Sequence, residues 1–183
     1  IADWDEHTPL PSLEDVVRNV KPTILIGVSG VPGVFGEEVI LEMAKHVDRP
    51  IILPLSNPTS STEVTPKAAL TWTEGRAIVA TGSPFGPVNL DGVVHRVGQG
   101  NNVFIFPGVG LGAIVSCSSR VTDAMFLAAT HALAKMVSDS DLAMGCVYPP
   151  LSRIREVSAK IAYEVARIAF DTGLAQCEEP EDL

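Results

Sequence analysis

Cysteine, basic side chains and long apolar runs are all in short supply in this chain, and each shortage closes off a class of protein. The 183 residues include only three cysteines, Cys117, Cys146 and Cys177, odd in number and far apart in sequence. That is the pattern of neither a disulfide scaffold nor a clustered metal site, and it reads as reduced thiols in a soluble intracellular protein, cytoplasmic or organellar. Thirteen Lys and Arg stand against 22 Asp and Glu, a formal net charge of -9, and the basic residues form no stripe. Nucleic acid and acidic membrane surfaces therefore drop out as partners. No apolar run approaches the roughly 20 residues of a membrane span, and the acidic opening IADWDEHTPLPSLED is unlike a signal peptide. Residues 1–20 read instead as a lead-in from a polypeptide that extends upstream. His7, His46, His95 and His131 have no partner at metal-ligand spacing and read as surface residues.

What is present is alternation. With 46% hydrophobic and 19% charged residues the chain can bury a core. Short β-branched runs occur at Thr23 to Ser29 (TILIGVS), at Ile51 to Ser56 (IILPLS) and at Ala77 to Thr81 (AIVAT). Between them, Glu37 to Val47 has helical periodicity, with Glu37 and Glu38 complementing the helix dipole. Thr65-Pro66 has the look of an N-cap followed by proline at N1. Apolar strands alternating with helices predict an α/β fold, a doubly wound, Rossmann-like parallel sheet covered on both faces and incomplete at its N-terminal side. Asp91-Gly92 within VNLDGVVHRV predicts a hairpin. VFIFP, residues 103–107, predicts a fourth strand, and the small-residue segment GVGLGAIVSCSS a helix close against the sheet.

The C-terminal part reads as helical. Thr122 opens a helix with Met125, Phe126, Ala129, Leu133, Met136 and Val137 on one stripe, and Asp139 to Gly145 reads as a polar link with Asp139 and Asp141 solvated. A last helix runs from about Ser152 to Asp171 and ends at Gly173, with Arg153 and Arg155 at its opening either holding an anion or forming an Arg-Glu surface. Residues 174–183 read as a loose tail. With no internal repeat and no low-complexity linker, one domain over residues 1–183 is the economical reading.

In an open parallel sheet, ligands bind beyond the carboxyl ends of the strands. Here those positions hold Ser29-Gly30, Ser56-Asn57 and Gly82-Ser83, joined by the Gly98 to Asn102 loop that precedes the predicted fourth strand. Gly, Ser and Asn supply hydrogen bonds and room for close approach, without a catalytic acid or base. The Gly30, Gly33 and Gly36 spacing departs from G-x-G-x-x-G, so it suits either a tight turn or an anion at a helix N-terminus. Pro58 holds Asn57 toward extended backbone, where its amide serves either a turn or a ligand. Asn101-Asn102 fits either a ligand contact or a β-bulge.

Taken together, ILIGVSG, LSNPTS, TEGRAIVATGSPFGPV, GQGNN, IFPGVGLG, MFLAA and YPPLSRIREVS resemble the malic enzymes, in the family's order over about residues 21–171. The resemblance implies oxidative decarboxylation of malate to pyruvate and carbon dioxide, with reduction of NAD or NADP and a Mg or Mn ion at the substrate. It implies that Asn57 and Asn102 lie beside substrate and nicotinamide, and that Val28, Ser29, Gly30, Ser56, Gly82 and Gly100 contact the cofactor. Ser29 departs from the Ala of some members. The family's catalytic Tyr and Lys, its metal-ligating carboxylates, its substrate Arg and its dinucleotide fingerprint fall upstream, so no catalytic or metal-binding residue is assigned in this segment. Members assemble as homodimers or homotetramers. The competing reading is a non-catalytic nucleotide-binding or scaffold module that keeps the crevice without the reactive centre.

Overall fold

The structure is a computed structural model that describes residues 10–180. His7, the first nine residues of the lead-in and the last three of the tail lie outside the described residues. The chain forms two compact units, residues 1–100 with 141–147, and residues 101–140 with 148–183.

The first unit opens on α1 (Leu13–Val20), capped by a reciprocal pair in which Ser12 Oγ accepts from the Asp15 amide and Asp15 accepts from the Ser12 amide. The S-x-x-D signal was in the sequence, inside the stretch read as lead-in. Strands β1 (Ile24–Gly27), β2 (Ile51–Pro54) and β3 (Ile78–Thr81) follow, with α2 (Glu37–His46) and α3 (Pro66–Trp72) as crossovers. Thr65 caps α3 as its spacing predicts, its hydroxyl accepting from the Ala68 amide at 3.2 Å. β1 pairs with β2 and β2 with β3, all parallel, from Ile24 opposite Ile51 to Gly27 opposite Pro54. The result is α/β and Rossmann-like.

Within this unit the helices share one core. Val17, Val39, Ile40, Met43, Ala69 and Leu70 pack with Ile52 and Val79 of the sheet. Alternate strand residues face the other way, and Ile24 and Ile26 on the edge strand β1 remain exposed. The hairpin is as predicted: β4 (Val88–Leu90) and β5 (Val93–His95) pair antiparallel across Asp91 and Gly92, with φ values of 49° and 85°. Two successive positive φ angles are what a type I′ turn requires.

The fourth strand of the sheet corrects the sequence reading. It is β6 (Gly98–Gln99), parallel to β3, and VFIFP is no strand. Asn102–Phe104 instead form a 3-10 turn leading into α4 (Phe106–Val115). Phe104, 1% exposed, belongs to the helical core of the second unit, and Pro107 sits in the first turn of α4, where its missing N–H costs nothing.

The second unit is built from α4, α5 (Asp123–Lys135) and α7 (Ile154–Asp171). Met125, Ala129 and Ala132 of α5 and Val157, Ile161 and Val165 of α7 form its core with Phe104 and Val109. Within this unit α4 packs against α7. Phe126, expected on the buried stripe, is 39% exposed. Arg153 is held by Glu156 at 2.8 Å and by the Met136 carbonyl at 3.0 Å, the Arg-Glu surface of the two alternatives. The start of the tail is anchored, contrary to its reading as loose: the Ser119 amide donates to Leu174 O, the Gln176 amide to Ser116 O and the Cys177 thiol to Val115 O. Desolvation, then the neighbouring Cys117, push the Cys177 thiol up.

Asp139 to Gly145 is also more ordered than a polar link. It contains α6 (Asp139–Ala143), and Asp141, 5% exposed, pairs with Arg96 at 2.5 Å, both in the first unit. A carboxylate buried to that degree is costly unless a cation or several donors meet it, and Arg96 is the cation here. Nothing in the spacing linked two residues so far apart in sequence.

Candidate functional site

Because the sheet is parallel, its strands all end on the same side, and the residues that follow them converge. Past β1 stand Val28, Ser29 and Gly30, all exposed; past β2, buried Ser56 and exposed Asn57; past β3, buried Gly82 and Ser83; past β6, half-buried Gly100. The structure thus gathers seven of the eight predicted site residues at one end of the first unit's sheet. The eighth, Asn102, belongs to the second unit, where it opens the 3-10 turn and is exposed. Its neighbour Asn101 is the turn's cap, its side chain accepting from the Val103 amide at 2.9 Å.

The strand ends are tied to one another by hydrogen bonds. Ser83 Oγ donates to Asn57 Oδ1, and Asn57 Nδ2 donates to the Leu55 carbonyl at 3.4 Å; the Asn57-Pro58 peptide is cis. The Gly82 amide donates to Pro54 O at 3.1 Å, Gln99 Nε2 donates to Gly82 O at 3.1 Å, and the Gly100 amide donates to Thr81 O at 2.9 Å. Gly82 is the closest approach in this lattice: a Cβ built on it would lie 2.1 Å from the Leu55 carbonyl oxygen.

The loop from Gly30 to Gly36 resolves one of the sequence alternatives. Gly30 and Gly33 take φ values of 68° and 72°, and the Gly33 and Phe35 amides donate to the backbone carbonyls of Thr62 and Glu63. These glycines are therefore a tight turn that needs the left-handed region. Glu37 and Glu38 occupy the first turn of α2, and their charge opposes a phosphate there.

One residue of the site escaped the sequence reading. Glu63 is 0% exposed, and its Oε1 receives the Ser29 amide at 2.8 Å, Ser29 Oγ at 2.9 Å and Ser56 Oγ. Its Oε2 receives the Ser56 amide at 3.4 Å, and Ser56 Oγ in turn accepts from the Gly30 amide at 2.8 Å. The available signal was isolation, since Glu63 is the only charged residue between Arg49 and Lys67. A lone charge in an apolar and small-polar stretch at a strand end is costly unless donors surround it.

Desolvation raises the Glu63 pKa more than any other single influence alters it. The donors on Ser56, Ser29 and its own amide together outweigh that and hold the carboxyl below its ordinary value. A depressed carboxyl contributes stability that is complete above the unfolded-state pKa and is lost as pH falls through the folded-state one. Denaturant titrations from about pH 5 down to about pH 3, around the ordinary Glu value, are therefore expected to show a shallower loss of stability with acid in Glu63→Gln than in the parent. Identical slopes would exclude the linkage.

Among the described residues no group of three or more His, Cys, Asp and Glu side chains is placed to hold a metal ion. No described helix is long and apolar enough to cross a membrane. At the strand ends the accessible groups are hydroxyls, amides and backbone, with the one carboxylate buried behind them. That inventory fits the uncharged, amide- and hydroxyl-bearing part of a ligand better than a reaction needing proton transfer from this segment.

Comparison with known proteins bears on the chain as a whole. A family model described as malic enzyme, NAD binding domain, matches residues 1–170. An NADP-dependent malic enzyme of Dictyostelium discoideum is 51% identical over 182 residues, 100% of this chain and 34% of that protein. An NAD-dependent malic enzyme of Shewanella piezotolerans is 51% identical over 175 residues, 96% of this chain and 31% of its own length. Among solved structures, the malic enzyme of Entamoeba histolytica superposes with a TM-score of 0.73 at 26% identity, covering 96% of this chain and 32% of that one. That of Pyrococcus horikoshii gives 0.69 at 25% identity, covering 91% and 34%. The chain spans about a third of the length of the relatives it matches.

Proposed function

Since this chain belongs to the malic enzyme NAD-binding domain family, we propose that it works as one domain of a longer enzyme that oxidatively decarboxylates malate to pyruvate and carbon dioxide while reducing NAD or NADP. The observation that carries the reading is the convergence of Ser29, Gly30, Ser56, Asn57, Gly82 and Gly100 on one end of a parallel sheet, the place where such folds receive nucleotides. Bound there, the dinucleotide would supply the hydride-accepting ring.

The segment's own part is to bind and orient. Val28, Ser29 and Gly30 form one wall; Asn57, its Oδ1 held by Ser83, presents an amide; and Gly82, lacking a side chain, lets the ends of β2 and β3 lie close together. In the whole protein Asn102 adds a second amide for substrate or nicotinamide. Orientation of this kind lowers the barrier by fixing the reacting carbon against the acceptor ring. Among the described residues no side-chain cluster fits a metal site, so a Mg or Mn ion would be held by other parts of the polypeptide, and no step is assigned to it through these residues. A homo-oligomeric, intracellular enzyme is the form this reading carries.

The test is an assay of the whole protein with malate, NAD or NADP, and Mg or Mn, following reduced nucleotide by absorbance and pyruvate by a coupled reaction. Malate-dependent formation of both is expected, and nucleotide binding without either product would overturn the reading. In the same assay Asn102→Ala is expected to lower kcat/KM by about 100-fold, the scale of a misoriented reactant. Near-normal turnover from a folded variant would remove Asn102 from the site.

A further inference from the structure

Glu63 stands apart from the other buried charges of the molecule. Asp141 answers to Arg96, and Glu42 to Lys45 and His46, whereas among the described residues the side-chain carboxylate of Glu63 is met only by hydroxyls and backbone amides. Apart from its own amide, those donors belong to Ser29 and Ser56, and through Ser56 Oγ the network reaches the Gly30 amide. Three of the proposed cofactor contacts, on two different loops, therefore hang on one carboxylate. The β1-β2 register runs from Ile24–Ile51 to Gly27–Pro54 and closes before those loops begin, so it does not itself dictate how they are aimed.

We propose that Glu63 is a positioning residue for the nicotinamide nucleotide, its carboxylate clamping the Ser29-Gly30 and Ser56-Asn57 loops at the separation in which they receive the cofactor. The inference rests on the reading of the site given above. Glu63 is not a catalytic residue: it is 0% exposed, and both of its oxygens are occupied by donors. Its backbone is fixed independently, because the Phe35 amide donates to its carbonyl at 3.0 Å. Gly27 backs the side chain so closely that an added Cβ would lie 2.6 Å from Glu63 Cδ. The clamp therefore has little room to retreat.

The chemistry of the clamp specifies the substitution that breaks it. Glutamine keeps one acceptor oxygen for Ser29 and Ser56 Oγ but turns an NH2 group toward the Ser56 amide, donor against donor. The experiment uses the whole protein and titrates NADH and NADPH by fluorescence, alongside steady-state kinetics. For Glu63→Gln the nucleotide Kd and KM are expected to rise about 10- to 100-fold, the cost of a small misplacement, with a smaller change in kcat and the shape of the kcat pH profile retained. Gly27→Ala, whose methyl would crowd the Glu63 side chain and the buried Phe35 ring, is expected to raise the same Kd. Ala69→Gly, in the core of α3, is expected to lower Tm without moving it.

If Glu63→Gln and Gly27→Ala lower Tm yet bind nucleotide like the parent, Glu63 is merely structural and the proposal fails. If Glu63→Gln does not fold, Gly27→Ala alone decides, an unchanged Kd counting against the clamp. A parent that binds nucleotide but does not turn over malate defeats the functional reading, while the Kd comparison still judges Glu63. A parent that binds neither nucleotide defeats both.

Discussion

Gly82→Ala is expected to cost about 3 kcal/mol or more of stability and to abolish measurable nucleotide binding, as read by denaturant unfolding and by NADH fluorescence. The added methyl would stand 2.1, 2.6 and 3.0 Å from the O, C and Cα atoms of Leu55. All three belong to backbone, so no side chain can rotate out of the way. Relief requires β2 and β3 to part at their carboxyl ends. The bonds lying across that gap are Gly82 N–H to Pro54 O and Ser83 Oγ to Asn57 Oδ1. Gly30 offers the contrast. Its φ of 68° penalises a side chain by about 1–2 kcal/mol, but nothing lies within 4 Å of its Cβ position, so Gly30→Ala is strained without being blocked. A Gly82→Ala protein as stable as the parent would mean that the two strand ends are not packed as described.

Gly112→Val is expected to be comparably severe for the second unit, by about 3 kcal/mol or more. Three glycines in α4 are expensive on propensity alone, at about 1 kcal/mol each, so the helix must gain by lacking their side chains. Gly108 and Gly112 lie one turn apart on the same face, and there α7 comes in closest. A Cβ on Gly108 would be 2.6 Å from Ile161 Cβ, and one on Gly112 2.6 Å from the Ala162 carbonyl oxygen and 2.7 Å from Val165 Cβ. Gly110 faces away with nothing within 4 Å, and Gly110→Ala should recover up to about 1 kcal/mol. Thermal unfolding of the two variants should therefore shift in opposite directions. A shift in the same direction would contradict the close α4-α7 approach.

Local signals of the fold were legible wherever one residue type answers one geometric need. Thr65-Pro66 at the start of α3, Asp91-Gly92 in the hairpin and Gly173 after α7, at φ 68°, all do what their chemistry predicts. Failures arose where the deciding partner is remote. VFIFP has the composition of a strand, but short apolar runs do not distinguish strand from buried helix, and the second unit's core claims Phe104. The two-residue strand that does pair with β3, Gly98–Gln99, offers backbone and no apolar pattern to read. At the site, the exposed Gly, Ser and Asn positions could be found by their place after each strand. Glu63 could not, because its role depends on Ser29, which lies in a different loop and far back in sequence.

The return of the chain to its first unit has a consequence for its synthesis. Residues 1–100 are joined by 141–147 only after the second unit has begun, and the Arg96 amide finds its acceptor, Met144 O, in that later stretch, as its guanidinium finds Asp141. On the ribosome the hairpin and β6 emerge with these anchors still untranslated, an interval of seconds at roughly 5–20 residues per second. A nascent chain halted just after Gly100 holds β1, β2, β3 and β6 yet lacks the Asp141 and Met144 partners of Arg96. The Arg96 contacts of the first unit therefore close only after Met144 has been made.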